Sequence, residues 1–135
     1  MGIRYEKDTI LNWINEMGKF LRLLVDRYEA FDEPLDTSIV EEGYREFFKK
    51  ERAWLLERST PELQTYVDEE LQVEQIRPLA LLFLRDAVLL PAGKEQQQLL
   101  QKSKFLFGHA SSRLNSFSFE DYEHLALIDK LLILK

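Results

Sequence analysis

A chain of 135 residues, 45% of them hydrophobic and with no long biased tract, reads as one globular domain spanning 1–135, long enough to bury most of its apolar surface. It contains no cysteine, which excludes disulfides, thiolate metal sites and cysteine nucleophiles. The formal net charge of −6 is uneven: positions 32–75 carry 13 acidic and 5 basic residues. That acidic middle argues against nucleic acid as the main partner, because phosphate contacts dominate such affinity.

Only 5 Gly and 4 Pro stand against many Leu, Glu, Gln, Lys and Arg, a balance that favours helix through most of the chain. Positions 1–8 are charged and hold no apolar signal core, so the expected location is the cytoplasm.

Ile10, Ile14, Met17, Leu21, Leu24, Tyr28 and Phe31 recur at steps of four and three, which predicts a first helix over 7–31 with one apolar stripe. Trp13 and Phe20 widen that stripe, and Asn12, Asn15, Lys19, Arg22, Asp26 and Glu29 form the wet face. Ser38 with Glu41 reads as a capping box for a second helix over 39–58. Its apolar face is Val40, Tyr44, Phe47, Trp54 and Leu55. Thr60 as cap and Pro61 at the first helical position open a short third helix to residue 70.

The most apolar stretch follows. Between Leu79 and Leu90 only Arg85 and Asp86 are not apolar, so a central helix over about 73–90 has hydrophobic side chains on every side and must be buried by its neighbours. It is too short to span a bilayer, which takes about 20 apolar residues. Pro78 either kinks this helix or sits at its start. Pro91-Ala92-Gly93 stops it. A fifth helix over 94–115 buries Leu99, Ser103, Leu106, Phe107, Ala110 and Leu114. Ser118 caps the last helix, with Phe117 packing on Tyr122. Gly18, Gly43 and Gly108 fall inside helices, each at a cost of roughly 1 kcal/mol that a close helix crossing would offset.

The expected fold is therefore all-α, about six helices in antiparallel hairpins, tetratricopeptide-like or an irregular bundle, around the buried central helix. The opening Tyr5-Glu6-Lys7-Asp8 with Ile10, Ile14 and Gly18, and the later Arg77-Pro78-Leu79-Ala80 entering an apolar helix, give the chain a pattern that resembles a family of small all-helical bacterial proteins of unknown function with tetratricopeptide-like hairpins. The resemblance implies a fold type and no activity, so no catalytic residue follows from it.

Three groups of polar residues stand in unexpected places. Glu51 falls on the apolar face of the second helix, and Arg85 and Asp86 interrupt the central one. A buried charge must be paired, so Glu51 with Arg85 is the expected internal ion pair. Glu51, Arg85 and Asp86 are the candidate ligand-binding residues if the cluster lines a pocket, with Tyr44, Phe47 and Trp54 beside it. Lys102, His109 and Arg113 form a basic row that could hold an anion but more simply reads as a solvated face. Asp121 and His124 have one acidic-x-x-His step of a di-iron site, but the second step is missing, so no metal and no cofactor is expected. The last helix has a second apolar stripe, Leu127, Leu131 and Leu134 with His124 at its edge, which is the candidate interface for a homodimer or another protein.

No phosphate loop, nucleophile elbow or paired histidine motif is present. The expected function is a protein-protein interaction or self-association module without catalytic activity. The alternative is a small-molecule binder or enzyme built on Glu51, Arg85 and Asp86.

Overall fold

The computed structural model describes residues 7–30, 37–115 and 119–133, and among these every regular element is a helix. In chain order they are α1 (Lys7–Ala30), α2 (Thr37–Phe48), α3 (Arg52–Glu57), α4 (Thr60–Glu70), a 3-10 turn (Val73–Gln75), α5 (Ile76–Leu89), α6 (Lys94–Leu114) and α7 (Phe119–Ile133). Neighbouring helices pack on one another, and the most extensive contact is between α5 and α6.

The described residues form seven helices where about six were expected, because the second breaks in two. Lys49 takes a left-handed conformation, φ 59°, and its N–H returns to the Arg45 carbonyl at 3.1 Å, the αL arrangement that ends a helix. The last carbonyls of α2 would be left unsatisfied in the core, but buried side chains from elsewhere reach them. Trp13 Nε1 of α1 donates to the Phe47 oxygen and Tyr66 Oη of α4 donates to the Phe48 oxygen, each at 3.2 Å. The break is thus fixed by tertiary contacts. Position 49 itself carries none of the usual helix-stop residues.

The helix starts differ from expectation by small, explicable amounts. Ser59, one residue before Thr60, caps α4: its Oγ accepts from the Glu62 N–H and the Glu62 carboxylate accepts from the Ser59 N–H. That bond to the Ser59 backbone is the largest influence holding the Glu62 carboxyl below its ordinary pKa. Pro61 therefore sits at the second helical position, where its missing N–H is equally harmless. Ser38 lies inside the first turn of α2, and the expected Ser118 cap and Phe117 staple lie outside the described residues. The helix holding Pro78 starts at Ile76, after the 3-10 turn, so the proline falls in its first turn and causes no kink. Gln75 closes that turn from inside, its Oε1 accepting from the Gln72 N–H at 2.8 Å.

The α5 helix is buried as its composition demands. Ile76, Leu79, Ala80, Leu82, Phe83, Leu84 and Ala87 are fully enclosed. Its small residues allow close approach of α6, whose Ser103 Oγ donates to the Ala80 carbonyl at 2.7 Å. The amide of Gln96 Nε2 donates to the Ala87 and Leu90 carbonyls at 2.9 and 3.1 Å, satisfying the C-terminal end of α5. No described helix is long and apolar enough to cross a membrane.

Of the three mid-helix glycines only Gly43 marks a close crossing: a Cβ there would lie 2.5 Å from the Phe20 ring, whereas at Gly18 and Gly108 it would meet nothing within 4 Å. Gly43→Ala must displace that ring, so overpacking outweighs the gain in helix propensity and a net loss of about 1 kcal/mol is expected. Adding Phe20→Ala should remove the clash. In denaturant titrations the double variant is then less destabilised than the sum of the two singles, and strict additivity would show that the ring and position 43 do not meet.

Candidate functional site

The charged side chains fall into three closed groups and one open one. The first is built on Asp86, only 1% exposed. Its Oδ2 accepts from Tyr44 Oη and from Arg52 Nε, both at 2.7 Å, and its Oδ1 accepts from Arg52 Nη2 at 3.1 Å. The remaining Arg52 nitrogen, Nη1, reaches Glu95 Oε1 at 2.7 Å, tying α3 to the start of α6. Burial is the largest influence on the Asp86 carboxyl and pushes its pKa up, against the pull of the Arg52 and Tyr44 hydrogen bonds. Burial also raises the Tyr44 hydroxyl, with the Asp86 charge adding to it, so the phenol keeps its proton and donates.

This arrangement corrects the expected Glu51–Arg85 pair. Glu51 is exposed and faces Arg45, whose Nε lies 2.9 Å from both its oxygens. Arg52, which the sequence pattern did not single out, takes the inward place. Had α2 continued unbroken, Glu51 would have stayed on the line of Tyr44. The break at Lys49 turns the chain and presents the next residue instead. Of the candidate ligand-binding set, then, Asp86 belongs to a saturated network, Glu51 stands outside it, and Arg85 faces a different part of the molecule.

The second closed cluster uses the basic row. His109 Nε2 lies 2.7 Å from Asp68 Oδ1, and Arg113 Nη1 donates to that same oxygen, so one carboxylate of α4 meets two of the three residues. Phe105 stacks on the His109 ring at 5.6 Å. The third member, Lys102, is half-buried, and desolvation lowers its pKa. Of the acidic-x-x-His step, the buried Asp121 carboxylate accepts from Arg77 Nη2 at 2.8 Å. Among the described residues no three His, Asp or Glu side chains come together as metal ligands.

The open cluster lines a cleft of about 440 Å³ between α1, α5 and α7. Its charged groups are Arg22 and Asp26 from α1, Arg85 from α5 and Glu120 from α7, and α7 adds the imidazole of His124. Leu21, Val25 and Leu81 supply apolar wall, and Gly18 leaves the wall open where any other residue would put a Cβ. The His124 ring stacks on Phe107, 5.5 Å between centroids with planes 12° apart, and its Nδ1 is buried without a hydrogen-bond partner. Burial, then the Arg85 charge, lower its pKa, so the ring is neutral at neutral pH. A buried N–H with no acceptor is the costlier state, so the proton sits on Nε2, a donor for whatever enters the cleft.

His124 is therefore a wall of this cleft. Leu127 and Leu131, assigned with it to a surface stripe, are partly buried and pack against the core, and Leu134 lies outside the described residues. Sequence reasoning missed Arg22 and Asp26 as site residues because on a single helix they read as ordinary wet face, and Gly18 because it read as a helix crossing. The one available signal was a mid-helix glycine next to charges. The chain matches no family model, no curated protein and no solved structure.

Proposed function

We propose that this chain is a non-catalytic binding module whose recognition surface is the cleft between α1, α5 and α7. The observation that carries this reading is the contrast in how the charged groups are used. Around Asp86 and Asp68 the acceptors are engaged by donors of the same chain. In the cleft, groups of both signs border an open volume, and Arg22, Asp26 and Glu120 form no ion pair among the described residues. A concave site of this size with apolar wall and a few convergent polar groups suits a small ligand or the end of a partner chain. Nothing in it pairs a nucleophile with a base.

Backbone-amide NMR with a set of small charged molecules and short peptides tests the reading. Shift changes are expected to concentrate at Gly18, Leu81, Arg85 and His124 and to vanish in Gly18→Leu. That variant fills the cleft where a side chain has room, and it should fold at least as stably, since replacing a mid-helix glycine gains about 1 kcal/mol. Shifts spread elsewhere, or unchanged in Gly18→Leu, would overturn it.

A further inference from the structure

The α1 helix carries two apolar lines, and the fold buries one of them. Ile10, Trp13, Met17 and Leu24 belong to the core. One residue further along, Leu11, Ile14, Gly18, Leu21 and Val25 recur at steps of three and four, a second line rotated by about 100° from the first at 3.6 residues per turn. None of these five is fully buried: Leu11 is 51% exposed, Gly18 is exposed, and Ile14, Leu21 and Val25 are covered in part. A heptad line of this kind is what one helix offers another, and a glycine in its middle lets the second backbone come close. Inside this chain Gly18 serves no crossing, since a Cβ there would meet nothing within 4 Å. Gly108 is equally open but has no such line, its neighbours one turn away being Lys104, Phe105, Ser111 and Ser112.

The line follows a trough. Its second half, from Gly18 through Leu21 to Val25, forms the α1 wall of the cleft, and an adjoining hollow of about 400 Å³ is lined by Ile14, Asn15, Gly18, Lys19 and Arg22. The two share Gly18 and Arg22. Resting on the binding reading above, we propose that the occupant of this trough is α1 of a second copy of the chain, laid antiparallel with the two-fold axis at Gly18. The spacing selects this occupant. Leu11 and Val25 each stand seven residues from Gly18, about 10 Å along the helix, and Ile14 and Leu21 stand four and three residues from it. A copy turned about Gly18 therefore sets its exposed Leu11 beside Val25 and Leu81 in the cleft, its Ile14 against Leu21, and glycine against glycine at the axis. One chain supplies both the projecting side chain and the hollow that takes it, which is the condition for a closed, isologous pair. No charge stands in the line itself, and beside it Arg22 comes opposite Asn15 of the partner, an amide whose oxygen can accept from it. A single helix pair about 21 Å long is at the small end of specific interfaces, under about 1,200 Å² in total, so the association is weak and depends on concentration.

Sedimentation equilibrium from about 10 µM to about 1 mM, the range in which weak pairs form, tests this. The wild type is expected to pass from one chain to two. Leu11→Glu removes the projecting side chain and leaves the cleft lining as it is, and Gly18→Leu holds the backbones apart. Each should weaken pairing at least about tenfold, because a dimer loses the contact twice. Neither should lower the melting temperature, as both positions are exposed. The chain has no cysteine, so one introduced thiol reports the axis. Gly18→Cys should cross-link under mild oxidation at least about tenfold faster than Leu23→Cys, which is 42% exposed but lies about 140° round the helix, because a disulfide needs the two Cα atoms within about 7 Å. A wild type that stays a single chain throughout, pairing that survives either variant, or equal cross-linking of the two thiols would overturn the proposal. If small molecules still shift the cleft residues of a monomeric wild type in a Gly18-dependent way, the occupant is another and the binding reading stands. If nothing shifts them, both fall together.

Discussion

Arg52→Met is expected to lower the melting temperature on the order of 10–20 °C at neutral pH, and by less in mild acid. Removing the guanidinium leaves the Asp86 carboxylate, 1% exposed, with Tyr44 as its remaining donor, and breaking a buried pair from one side costs about 3–5 kcal/mol. The pH sign follows from the direction of the shift. Burial already raises the Asp86 pKa in the folded protein, and losing Arg52 removes what pulls it down. A carboxyl whose folded pKa lies above its unfolded value contributes stability in acid, below the unfolded pKa, and loses it as pH rises through the folded pKa. The deficit of the variant is therefore largest at neutral pH and shrinks as Asp86 takes a proton. Asp86→Leu combined with Arg52→Met should recover part of the loss, because no unpaired carboxylate is then left between α3 and α5. A deficit independent of pH, with the double variant no better than the single, would mean that the pair does not hold α3 against α5.

Phe83→Ala should cost about 3–5 kcal/mol, and Phe83→Leu under about 1.5. Phe83 is fully buried on α5, its ring 5.8 Å from Tyr44, and the surrounding helices cannot all close on the space its ring leaves. The contrast is Phe119 at the start of α7, 87% exposed, where the same truncation should change stability by no more than about 0.5 kcal/mol. Chemical denaturation measures both. Similar losses at the two positions would mean that α5 is not enclosed.

How far the amino-acid sequence led can be judged from these residues. That α5 is surrounded was legible, since ten apolar residues in twelve leave a helix no wet side. The apolar stripe of α1 and the inward face of α6 were legible for the same reason: periodicity is local, and burial follows it. Arg52 was not legible, because its position depends on a left-handed residue at Lys49, stabilised by Trp13 and Tyr66 from distant parts of the chain. The cleft was hidden for a related reason. Three helices far apart in sequence each contribute two or more residues, so no single helix reveals it. Asp86 could be recognised as a charge needing a partner, but the partner's identity rested on one backbone dihedral angle.

The link from α5 to α6 is also where a protein engineer would first think of adding sequence. Pro91, Ala92 and Gly93 are all exposed, and exposed loop tips ordinarily accept insertions. Here the two ends of the link are clasped twice, by Gln96 on the Ala87 and Leu90 carbonyls and by Arg52, which holds Asp86 before the link and Glu95 after it. Lengthening it would pull on both clasps at once, so this short surface connection behaves as part of the frame and is a poor place for a tag, a new terminus or a grafted loop.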